Sequence, residues 1–248
     1  MASVKGNVPI IIVATDKKEQ TFFQERMSGY DLTVISAQCY ANEKGISINV
    51  ENSSGVINAK KFLGIMTALD RGAEYIMVFD ADSQMLSTTN EAFEAAKKNY
   101  VYRFFGTTTN YHSYYRMNDA SRALFQPADA ALIDAKTVGG RLYTWFFDAP
   151  LYYKEDVLEF FAYFGAELWS KLTWHTFDHI LYRDFLLARK NAQITNYGNV
   201  GGLPEFLDMD ELRWMKRNYG YQPIWCSASK WDERSKYHML YHVDRKET

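Results

Sequence analysis

Two cysteines in 248 residues, Cys39 and Cys226, are too few for a disulfide framework or a metal knuckle, so a reducing compartment is expected. An excess of positive charge is also missing. Lys and Arg number 28 against 30 Asp and Glu, a net charge of −2, which leaves no basic footprint for nucleic acid. Long apolar runs are absent as well: the longest, such as residues 8–14, fall well short of the roughly 20 residues that cross a bilayer. No signal-peptide pattern is apparent. The expectation is a cytoplasmic protein without a transmembrane segment, with a peripheral place at a membrane kept open. Glycine-rich phosphate loops are the last absence. There is no G-x-x-x-x-G-K-[ST], no G-x-G-x-x-G, and no glycine-rich loop after the first strand. Kinase and dinucleotide-binding readings lose ground, and a sugar-phosphate nucleotidyltransferase stays only as an alternative.

What remains is an ordinary globular composition, 47% hydrophobic and 23% charged, with no repeat or linker. One domain over residues 1–248 is expected. The aromatic share of 16%, with 18 Tyr and 6 Trp, is high. Flat rings with a polar handle suit stacking against a base or a sugar, although most of them serve a core or its rim.

The apolar pattern alternates between strand-like and helix-like segments, which predicts an α/β fold with a mostly parallel sheet flanked by helices. Residues 8–14 read as the first strand, ending at Thr15-Asp16 before a helix through Phe22, Phe23 and Met27. Residues 32–37 and 46–50 read as further strands, with a turn at 42–45. Val56, Ala59, Phe62, Leu63, Met66 and Leu69 recur at the spacing of one helical stripe, and Arg71-Gly72 ends it. Residues 75–79 then form an almost unbroken apolar run, suited to a parallel strand covered on both faces. A helix over 91–100, a strand over 102–107, irregular structure over 111–129 and an aromatic strand over 142–147 follow. A short strand at 151–153, a helix over 154–164, an amphipathic helix opened by residues 175–182, a strand at 193–197 and a helix over 208–219 complete the reading. The segment 142–153 is expected to add a small antiparallel element.

The strand over 75–79 is followed at once by Asp80-Ala81-Asp82. Open α/β sheets bind ligands beyond the carboxyl ends of their strands, and carboxylates leaving a buried strand together call for a neutralising cation. Such oxygen ligands suit Mg²⁺ or Mn²⁺ on nucleotide phosphates; a solvated acidic turn is the plain alternative. Thr15 and Asp16 end the first strand where a nucleotide is expected, and a helix cap is the equal alternative there. Lys60 and Lys61 lie near the start of the helix over 56–69, where one of them can reach a diphosphate or stand in solvent.

These pieces resemble the nucleotide-sugar-dependent glycosyltransferases of the GT-A fold, Rossmann-like enzymes, and most of all family 8. The resemblance rests on strand-D-A-D, on Ala59-Lys60 in the helix before it, and on Phe147-Asp148-Ala149-Pro150 where the family has F-N-[AS]-G. It rests also on 175–182, His-Thr-Phe-Asp-His-Ile-Leu-Tyr, where the family has D-Q-D-x-L-N and Asp178 takes the middle acid's place. Asp148 for Asn exchanges an amide for a carboxylate that only accepts hydrogen bonds, and the family's K-P-W tail signature is missing. The resemblance implies a UDP-sugar donor bound by Thr15, Asp16, Lys60, Asp80, Ala81 and Asp82 in a nucleotide half of about 1–100. It implies Mn²⁺ or Mg²⁺ on Asp80 and Asp82, with His238 or His242 as a third ligand. Asp178 and Asp148 would then serve the reacting sugar, and a glycan, glycoprotein or glycolipid acceptor would bind the half of about 101–248. A non-catalytic glycan- or nucleotide-binding protein on the same fold is a further alternative.

Overall fold

The computed structural model describes residues 8–48, 53–80, 83–99, 103–108, 112–140, 142–143, 151–199, 225–227 and 239–241. Strands β1 (Ile11–Ala14) and β2 (Thr33–Ser36) run parallel, Ile11 opposite Thr33 and Ala14 opposite Ser36, with α1 (Lys17–Arg26) as the connection. Ser36 then starts α2 (Ala37–Glu43), its hydroxyl accepting from the Cys39 N–H at 3.1 Å. That helix occupies ground before the turn expected at 42–45, and residues 46–48 carry no strand. After α3 (Ser53–Asp70) come β3 (Tyr75–Met77), β4 (Gln84–Met85), α4 (Thr89–Asn99) and β5 (Arg103–Thr108). Helices α5 (His112–Arg122) and α6 (Pro127–Lys136), β6 (Leu142–Tyr143), β7 (Leu151–Tyr153), α7 (Lys154–Phe164) and α8 (Glu167–Lys171) follow. The order ends with α9 (Asp178–Arg189), β8 (Gln193–Asn199), β9 (Trp225–Ser227) and β10 (Met239–Tyr241).

The protein is α/β, but its described strands do not form one mostly parallel sheet. Pairings divide evenly: β1 with β2, β5 with β8 and β9 with β10 are parallel, whereas β3 with β7, β5 with β6 and β4 with β10 are antiparallel. β3 is therefore not the parallel strand its sequence suggested. It pairs Ile76 with Tyr152 on β7, and each of its three residues is only half-buried. The expected antiparallel element near 142–153 takes the form of two strands, β6 and β7, each pairing with a different partner.

Residues 112–122 and 127–129 are helical where irregular structure was expected, and the second of these helices runs on to Lys136. Pro127 stands in the first turn of α6, where its missing N–H costs nothing, and Asp129 adds an acid there. The helix opened by His175 in the sequence begins at Asp178. It is not amphipathic: nine of its 12 residues, from Asp178 to Leu187, are buried. Packing explains this, because α3, α5, α6 and α7 all lie against α9.

The core is aromatic. Phe62 of α3 stacks on Phe160 of α7 with ring centroids 5.3 Å apart, and Phe160 meets Phe185 of α9 edge-on at 5.6 Å. Leu63 turns the neighbouring face of α3 toward Ala37 and Ala41 of α2. Each fully buried Phe or Leu contributes about 1.5–3 kcal/mol, so α3 is held from two sides. Its first turn is tight: a Cβ on Gly55 would lie 2.5 Å from the Leu172 carbonyl oxygen, which is backbone and cannot rotate away. Gly55→Ala is therefore expected to lower stability by about 1–3 kcal/mol, even though Ala is the better helix former by about 1 kcal/mol. Urea midpoints measure this, and a more stable variant would show that the contact is loose. Among the described residues no helix is long and apolar enough to cross a membrane.

Candidate functional site

Two adjacent lysines on α3 reach two different strand ends. The Lys60 ammonium donates to the Thr15 hydroxyl, just past β1, at 3.2 Å, and stands 3.9 Å from Glu19. Asp16 is the cap of α1, accepting from the Glu19 N–H at 2.8 Å, while the Glu19 carboxylate takes the Thr15 N–H in return. The capping role open to Thr15 thus falls to Asp16, and the Thr15 hydroxyl faces Lys60. The Glu19 carboxyl is pulled below its usual range: burial opposes the shift, and the Thr15 hydrogen bonds and Lys60 outweigh it.

Lys61 points the other way and joins two acids far apart in the chain. Its ammonium is 2.8 Å from Asp80, beyond β3, and 3.4 Å from Asp178, the first residue of α9. The Asp178 side chain has no exposure, whereas about a third of the Asp80 side chain faces solvent. Around Asp178, the Tyr152 hydroxyl of β7 donates to one carboxylate oxygen, and His179 Nδ1 stands 3.6 Å from the other. Phe177 offers α9 no side-chain cap; instead Asn58 of α3 accepts the Asp178 N–H at 3.3 Å and donates to the Thr173 carbonyl at 2.8 Å. Asn58 and Lys61 are one turn apart on the same face of α3, so one helix side supplies both partners.

The electrostatics follow from this enclosure. Burial by itself would drive the Asp178 carboxyl up, yet Lys61, His179 and Tyr152 together hold it well below the usual range. Burial would likewise drive Lys61 down, and the two aspartates instead keep its ammonium charged. The Tyr152 hydroxyl is pushed well up by burial and by the carboxylate beside it, so it stays a donor. An ionised acid, a cation and a neutral phenol are fixed together at the start of a helix whose dipole also favours the anion.

Of the residues singled out in the sequence, Thr15, Asp16, Lys60, Asp80 and Asp178 are described. They fall into two groups, Thr15 and Lys60 with Asp16 nearby, and Asp80 with Asp178 through Lys61. Ala81, Asp82, Asp148, His238 and His242 lie outside the described residues, as does the segment 208–219. Among the described residues no three His, Cys, Asp or Glu side chains are grouped to hold a metal ion. Sequence reasoning missed Tyr152, Asn58 and His179 as members of the site; only their positions beside Asp178 in three dimensions mark them. No protein family, curated protein or solved structure matches the chain.

Proposed function

We propose that this protein is a GT-A-type glycosyltransferase that moves a hexosyl unit from a UDP-sugar to a hydroxyl of a glycan, glycoprotein or glycolipid acceptor. The supporting observation is the meeting of Asp80 and Asp178 on Lys61 while Lys60 reaches Thr15: acid and cation stand together beyond the ends of β1 and β3. Donor diphosphate is a doubly charged group that needs cations, and two lysines at these strand ends offer them.

Carboxylate oxygens are the donors that Mn²⁺ or Mg²⁺ prefers, and the exposed part of Asp80 fits that role. Asp82 would share the ion, with His238 or His242 as a further ligand and Ala81 against the nucleotide. Bound there, the ion would neutralise the leaving diphosphate. Asp178 is enclosed, so it acts on the reacting centre through Lys61, whose ammonium it fixes and keeps charged. Thr15 and Asp16 contact the nucleoside, and Asp148 accepts a hydrogen bond from a sugar hydroxyl.

The test is thermal shift against UDP, GDP and ADP, each with and without Mn²⁺. UDP with Mn²⁺ is expected to raise the melting temperature, and Asp82→Asn to remove the Mn²⁺-dependent part alone. An Asp82→Asn protein that binds UDP and Mn²⁺ like its parent would sink the assignment. The enclosure of Asp178 also favours a second reading, a nucleotide- or glycan-binding protein without turnover. It predicts the same UDP shift and no UDP release from a UDP-hexose.

A further inference from the structure

Three of the exposed large apolar side chains lie within a few residues of the charged group along the chain. Phe79, 43% exposed, precedes Asp80; Ile57, 38% exposed, lies four residues before Lys61 on α3; Trp174, 46% exposed, lies just before α9. Trp174 is presented by a braced turn. Thr176 is buried, its hydroxyl accepting the Thr173 N–H at 2.5 Å and donating to the Thr173 carbonyl at 3.0 Å. That carbonyl also accepts from Asn58 at 2.8 Å. The indole packs edge-on against Phe177 at 5.6 Å between centroids, and Phe177 lies 5.8 Å from His179, which borders Asp178. A continuous run of rings therefore leads from solvent to the buried acid.

An exposed tryptophan costs little order on binding when its loop is already fixed. Its flat face matches a surface that is apolar in the middle and polar at the edge. A pyranoside ring has that character, with C–H bonds across one face and hydroxyls at the rim. The geometry points to Trp174 as the stacking platform for the acceptor's pyranose ring. This rests on the glycosyltransferase reading for the acceptor's role, and on the placement of Trp174 for the stacking itself.

Saturation-transfer NMR on the full chain tests it, with methyl β-D-glucopyranoside, methyl β-D-galactopyranoside and methyl α-D-mannopyranoside as probes. The parent is expected to saturate the C–H protons of one ring face of at least one probe. In Trp174→Ala the affinity should fall about tenfold, and Trp174→Phe should keep most of it. The UDP shift with Mn²⁺ is expected to stay unchanged in both variants, and the melting temperature to fall by only a few degrees in Trp174→Ala, where the contact with Phe177 is lost. A parent that binds UDP but contacts none of the three glycosides overturns the platform and leaves the nucleotide site standing. Equal glycoside binding by Trp174→Ala and parent also overturns it. Glycoside stacking on Trp174 in a protein that ignores UDP keeps the platform and removes the glycosyltransferase reading.

Discussion

Lys61→Met is expected to lower stability at neutral pH by about 3–5 kcal/mol, the usual cost of removing one partner from a buried ion pair. The melting temperature should fall by on the order of 10 °C. Methionine fills a similar volume, so the loss is electrostatic: Asp178 would be left charged, with no exposure, beside Tyr152 and His179 and without the Lys61 ammonium. The sign of the pH dependence separates this from a packing defect. In the parent the folded Asp178 carboxyl lies below its unfolded value. Its stabilisation is therefore fully present above about pH 4 and is lost as pH falls further. Without Lys61, burial dominates and the folded value lies above the unfolded one, so Lys61→Met should gain stability relative to the parent as the pH drops from 7 toward 5. Adding Asp178→Asn to Lys61→Met should recover most of the loss. Denaturant titrations of the four proteins of this cycle, at pH 7 and pH 5, decide the matter; parallel pH profiles for Lys61→Met and parent would dissolve the proposed coupling.

Asp178→Asn by itself is expected to slow UDP release from UDP-glucose or UDP-galactose by about 100-fold, the scale of effect that small misplacement of a reacting group produces. UDP affinity should change little. Lys61 keeps Asp80 at 2.8 Å in this variant, so the cation stays charged while one of its two anchors is gone. The measurement is steady-state release of UDP beside direct UDP binding, with the melting temperature as a check on the fold. A drop in kcat with unchanged Kd for UDP matches a residue that positions Lys61 for the transition state. Equal release rates would return Asp178 to the ordinary role of a helix-start acid.

Much of this framework was legible because it depends on local signals. The stripe from Val56 to Leu69 places α3, the bounds Lys154–Phe164 of α7 were read directly, and the opening strands follow their β-branched runs. Helix α5 escaped because Tyr, Arg, Asn and Asp interrupt any apolar period there, and the start of α6 was read as part of the same irregular stretch. Tertiary packing against α9 rewards apolar positions in both, such as Met117 and Ile133. The start at Pro127 with Asp129 behind it was the overlooked signal. The direction of β3 could not be read locally, since an apolar run suits either pairing, and β7 reaches it from far along the chain. Asp80 and Asp178 were each identifiable by their positions at a strand end and a helix start. That Lys61 joins them was not, because it requires α3, β3 and α9 to converge.

The burial of α9 on nearly every side has a consequence for movement at the site. A helix wedged among four others has no free face along which to slide or roll, so Asp178 is a fixed point of the molecule. Any opening or closing near it must be carried by what surrounds it. Lys61 is tethered at one end to that fixed point and at the other to the more exposed Asp80. The ammonium group is thus shared between a fixed carboxylate and a more exposed one: a cation drawn to Asp80, or an anion drawn to Lys61, would meet the Asp80 side of the pair first and leave the contact with Asp178 in place.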